Sequence, residues 1–185
     1  MNQSLREDSA PLAALRNSLA AAPWFAACGQ PLGPGERDTA LAYLAGLGFD
    51  RSPLEGVVGW SEATRLIQDP GWSRDLWAAE SAAEKSLYRE GLALYGESRL
   101  LELLSEITEA AAPIHDNVLR ALSRAQIVDA TLAKVAAGAA AQACHQQALA
   151  ILGEAPPGHA LTRKFQLFAR GRWPLGLVAR TAYVF

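Results

Sequence analysis

The chain of 185 residues is poor in the residue types on which most recognisable site chemistry is built. It has 3 histidines, His115, His145 and His159, too few for a histidine-rich metal centre. Its 2 cysteines, Cys28 and Cys144, form no CxxC pair, which excludes a zinc knuckle. Cys144 sits in an alanine-rich stretch and reads as a small core hydrophobe. So few cysteines at this length point to a reducing compartment. The chain has no P-loop, no GxGxxG, no GxSxG, no HExxH and no EF-hand loop. The Glu-x-x-His pairs of di-iron bundles are missing too.

Long apolar runs are also lacking. The longest, residues 135–141, is far too short to span a bilayer. Residues 1–10 are polar, with no apolar stretch behind a basic start, so no secretory leader is expected and the cytoplasm is the expected compartment. A formal net charge of −2 gives no general attraction to nucleic acid or an anionic membrane. With 50% of residues apolar and 19% charged, the composition is that of a folded protein, read as one domain over 1–185.

What is present is helix. Between residues 73 and 153 there is one proline, Pro113, and much alanine, the best helix former. The reading is two long helices, about 73–112 and 113–153, joined at Pro113 into an antiparallel hairpin. In the first, Leu76, Ala83, Leu87, Leu94 and Leu101 form one stripe; after Gly96 a second takes over through Leu100, Leu104, Ile107 and Ala111. That change of face predicts a bend near Gly96. The second carries one face from Ile114 and Val118 through Leu122, Ala125, Val128 and Leu132 to Ala150.

Shorter helices flank this hairpin, at 11–22, 36–47 and 160–170. Another is expected from Ser52, with Pro53 at its first position and Glu55 closing a capping box, to Gln68. Residues 1–9 read as a frayed tail. Residues 173–185 read as an extended segment, in which 175–178 and 181–185 pair as a small hairpin or lie along the bundle. The expected fold is therefore an all-α helical bundle built on the long hairpin, with a small C-terminal β-hairpin. The tryptophans Trp24, Trp60, Trp72 and Trp77, with Phe25, are expected mostly in the core.

Three places could hold a site. Asp129 falls by helical phase on the apolar face of the second long helix, flanked by Gln126; a buried carboxylate there must be paired or face a ligand. Glu80, Glu84, Glu102 and Glu109 form an acidic row, with Trp77, Tyr88 and Tyr95 beside it. Glu80 and Glu84, one turn apart, could hold a metal with a third ligand from another helix, and His115, a candidate metal ligand just past the Pro113 turn, could meet Glu109. A straight helix, however, puts the Glu109–His115 end about 40 Å from Glu80. Alternatively the row is a solvated acidic edge with i,i+4 partners. Lastly, no acidic side chain follows Glu154, while Arg163, Lys164, Arg170, Arg172 and Arg180 accompany aromatic residues. That patch either binds an anion or neutralises the acidic first long helix.

These features lead to a non-enzymatic interaction or regulatory protein, acting through self-association as a homodimer or through another protein. The alternative is a small-molecule- or metal-binding bundle with a pocket around Asp129, using Gln126, Glu84, Tyr88 and Trp77. Nucleic acid and membrane are not expected partners, and the residues leave any cofactor unknown.

Overall fold

The computed structural model describes residues 10–185, so the tail expected over 1–9 lies outside it. The described residues form a mostly α-helical bundle with a small sheet at its C-terminal end. The helices are α1 (Ala10–Ala21), α2 (Pro34–Gly46), α3 (Trp60–Ile67), α4 (Arg74–Tyr95), α5 (Glu97–Ala111), α6 (Ile114–Arg124), α7 (Ala130–Leu152) and α8 (Ala160–Ala169). The strands are β1 (Leu54–Gly56), β2 (Pro174–Val178) and β3 (Thr181–Val184), in spatial order β1-β3-β2. The expected C-terminal hairpin is β2 antiparallel to β3; β1 adds to it in parallel.

Each arm of the expected hairpin is broken once. Gly96, at φ 73°, closes α4 and opens α5, where the apolar stripe changes face. Leu100, Leu104, Ile107 and Ala111 are buried as the second stripe requires, while Leu94 and Leu101 of the first are left exposed. The second arm breaks between Ala125 and Asp129, with Gln126 at φ 58°. The phase relation drawn across that point therefore fails, and Val128 is fully exposed. Asp129 does not lie mid-face on a long helix. It is the N-cap of α7, its carboxylate accepting from the Leu132 backbone N–H at 2.9 Å.

The helix expected from Ser52 also starts later. Residues 54–56 are strand, and α3 begins only at Trp60. Gly56, Val57, Val58 and Gly59 are poor helix formers, and Val57 donates its N–H to Val184 at the edge of the sheet.

The core is centred on α7, which packs against α4, α5, α6 and α8. Its alanines Ala133, Ala136, Ala140, Ala143 and Ala148 are fully buried, letting those helices come close. A second apolar cluster joins α2, α8 and the sheet through Tyr43, Leu44, Leu76, Leu167, Leu177 and Val184. Trp24, Phe25 and Trp60 are buried as expected, and Phe25 meets Trp60, Phe168 and Trp173 ring to ring. Trp72 and Trp77 are not in the core.

Arg172, between α8 and β2, is buried and uses every guanidinium N–H. Nε and Nη2 donate to the two Glu36 carboxylate oxygens at 2.8 and 2.9 Å. Nη1 donates to the Ala27 and Gln30 carbonyls, and Nη2 also to Pro31. Glu36 in turn accepts from the Gly33 N–H at the start of α2. The cage ties the 27–36 loop and α2 to the C-terminal hairpin. Gly171 makes its approach feasible: it sits at φ 83°, where a Cβ would lie 2.7 Å from the Pro23 carbonyl oxygen.

Replacing Arg172 with Met should lower stability by about 3–5 kcal/mol in chemical denaturation, because the Glu36 carboxylate and three carbonyls lose their donor together. The Arg172 guanidinium also holds the Glu36 carboxyl below the usual glutamate range. The stability from that shift is full above the unfolded glutamate value and is lost as pH falls through the folded one. Glu36→Gln should therefore flatten the fall in stability between about pH 5 and pH 3.

Candidate functional site

Three polar side chains point inward from three different helices and meet. On α4, Glu80 shares the buried stripe of Leu76 and Leu87. On α8, Lys164 lies between Leu161 and Phe168 on the inward face. On α2, Tyr43 lies beside Ala40 and Leu44. Lys164 Nζ reaches Glu80 Oε2 at 2.7 Å, and the Tyr43 hydroxyl donates to Glu80 Oε1. All three residues are buried. Burial, followed by the Glu80 charge and this hydrogen bond, pushes the Tyr43 phenol well above its usual pKa, so it remains a donor.

The trio lies along a cavity of about 330 Å³ between α2, α4, α7, α8 and β2. Its walls are otherwise largely apolar, with Leu76, Val135, Ala139, Trp173 and Leu175, and Gln142 as a further polar group. Trp72, Trp77 and Val135 stand exposed around it, at 36%, 55% and 42% of their accessible surface. Trp72 is held in place: its backbone bridges to Val178, and its indole lies over Gly176, where a Cβ would come within 2.9 Å of Nε1. Gly176 is at φ 131°, a conformation that glycine alone adopts readily.

A wider cavity of about 520 Å³ opens between α5, α6 and α7. His115 and His145 line it, with Gln142 shared between the two cavities, but most of its wall is Ile, Ala and Gly. It holds no buried ion pair.

Of the residues singled out from sequence, Trp77 and Glu80 belong to the first cavity. Glu84 lies one turn on and accepts from the Nε2 of buried Gln146 at 2.9 Å, and Tyr88 packs against the main core. Gln126 is exposed in the break before α7, apart from these groups. His115 lines the other cavity, and among the described residues no group of three or more His, Cys, Asp or Glu could hold a metal ion. Glu80, Glu84 and His115 are thus not brought together.

Nor do the C-terminal cations form one patch. Arg163 bonds Gln166, Arg170 bonds Gly35 and Thr39, Arg172 is caged by Glu36, and Lys164 faces Glu80. The reading that the C-terminal cations neutralise the acidic first long helix holds for Lys164, but the particular pairing with Glu80 and the part of Tyr43 were not identified from sequence. The available signal was the position of Lys164 three residues after Leu161 and four before Phe168, on the inward stripe. Neither thiol is poised to react, because burial pushes Cys28 and Cys144 up to about 12.

The whole is a mostly helical bundle with a tryptophan-rimmed cleft over a buried ion pair. No family model matches the chain, and no curated protein or solved structure matches it either.

Lys164→Met should cost about 3–5 kcal/mol by leaving Glu80 buried without its cation. Adding Glu80→Leu should recover much of that loss. A double-mutant cycle read by thermal or urea melting measures the coupling.

Proposed function

We propose that this is a non-enzymatic interaction protein whose binding face is the cleft between Trp72 and Trp77, and that it receives an apolar segment of another protein. The observation that carries this reading is the fate of the tryptophans. Trp24, Trp60 and Trp173 are buried, whereas Trp72 and Trp77 stay exposed around a concave apolar site with Val135. Large aromatic side chains at the edge of a pocket are the residues that dominate binding energy when a partner covers them. The polar groups beneath argue the same way. Glu80 already holds donors on both carboxylate oxygens, and Tyr43 keeps its proton at neutral pH. Such a trio orients a ligand better than it moves protons. Two free cysteines support a reducing, cytoplasmic setting for such a partner.

The small-molecule alternative, first centred on Asp129, moves with the geometry to this same cleft. The experiment below separates it from the partner reading, and separates self-association from both. A partner identified by co-purification is purified, and its affinity is measured for wild type, Trp72→Ala, Trp77→Ala and a distant surface control, Leu119→Ala. The expected outcome is a loss of about tenfold or more for each tryptophan variant, with the melting temperature of Trp77→Ala and the affinity of the control unchanged. Equal affinities for wild type and both tryptophan variants would overturn the reading. So would a bound small molecule, or a dimer that needs Trp77, in native mass spectrometry.

A further inference from the structure

We infer that the cleft recognises the uncharged backbone N–H and C=O of one extended residue of the partner, next to an apolar side chain, through the Lys164–Glu80 pair. This rests on the cleft being the interaction face and adds the chemistry of what enters it. An ammonium carries three N–H donors, and Glu80 takes one of those on Lys164. Each Glu80 oxygen accepts one bond, from Lys164 or from Tyr43, and has capacity for a second. Both residues line the cavity, where the unspent N–H groups of Lys164 and lone pairs of Glu80 would give an entering group a donor and an acceptor side by side. One residue in extended backbone presents the complement, because its own N–H and C=O point to the same side of the chain, whereas those of a single trans peptide group point apart.

Charge decides against other ligands. The pair is neutral as a unit, and both members are buried, with side chains 8% and 7% exposed. A carboxylate or phosphate brought to Lys164 would be buried beside Glu80. An ammonium brought to Glu80 would be buried beside Lys164. Either leaves an uncompensated charge away from water, whereas an amide leaves none. A purely apolar ligand would leave the spare donors of Lys164 sealed from water without acceptors. The apolar walls and the two tryptophans then take the neighbouring side chain.

The test uses the full chain and three probes that share the phenylalanine side chain: N-acetyl-phenylalaninamide (neutral, an amide on each side), N-acetyl-phenylalanine (a carboxylate in place of one amide) and phenylalaninamide (an ammonium in place of the other). Binding is read from the indole N–H signals of Trp72 and Trp77 in nuclear magnetic resonance titrations. The expected result is saturable shifts with the neutral probe and at least tenfold weaker binding of both charged ones. Because Lys164→Met alone can impair folding, the variant used is Glu80→Leu with Lys164→Met, which removes the donor and the acceptor together. It should bind the neutral probe about tenfold more weakly while melting as a folded protein. Equal or tighter binding of the anionic probe would overturn the inference. So would unchanged binding by the double variant, or no shift with any probe. These outcomes are separate from those of the partner experiment. Probes that bind with the expected charge preference while the tryptophan variants keep full partner affinity sink the interaction reading and, with it, the partner as the source of the backbone groups, leaving only the chemistry of the cleft. A partner that needs Trp77 while no probe discriminates by charge sinks only the amide inference.

Discussion

The Arg172 guanidinium is the point on which the arrangement of the C-terminal half depends. Five N–H groups in one plane meet a carboxylate and three carbonyls drawn from residues 27–36. Backbone carbonyls of an irregular loop have no ladder to join, and buried without donors they would destabilise the fold. One arginine satisfies three of them and holds Glu36, whose other role is to cap the start of α2. Trp173 follows directly and exchanges backbone hydrogen bonds with Phe185. β2 then begins at Pro174, so the hairpin, the glycine under Trp72 and one wall of the cleft are all placed relative to this cage.

The second buried charge, Lys164, behaves differently. Arg172 has no donor to spare, whereas Lys164 shares its buried site with a single carboxylate beside an open cavity. A guanidinium suits a permanent cage because its fork is rigid and many-toothed. An ammonium paired with one carboxylate leaves hydrogen-bonding capacity unspent. The two basic residues are eight positions apart, and this contrast separates a structural cation from one suited to recognition.

Much of the architecture was readable from residue patterns. Alanine abundance, one interior proline and the switch of stripe at Gly96 led to the bundle and the break between α4 and α5. β-Branched and aromatic residues after Trp173, with no long helical stripe, led to an extended segment with a hairpin as one of its two readings. The second break was not readable, because residues 125–129 contain no proline or glycine and continue the apolar period. Only the αL backbone of Gln126 and the capping role of Asp129 reveal it. Strand β1 was hidden for a similar reason. Ser52-Pro53-Leu54-Glu55 has a helix-start signature, but its Leu54–Gly56 stretch pairs with β3, more than a hundred residues away.

The site divides along the same line. Residue types and local spacing determined that Glu80 would lie near the Leu87 face and Lys164 near Leu161 and Phe168, because helical phase is a local property. They could not determine that these two faces meet each other, or that Tyr43 joins them from α2. Nor could composition show that Trp72 and Trp77 are left outside while Trp24 and Trp60 are buried; a tryptophan is apolar in either place. Those outcomes depend on how α2, α4, α7 and α8 pack. Packing is decided by contacts between residues distant in sequence, where no local period carries information.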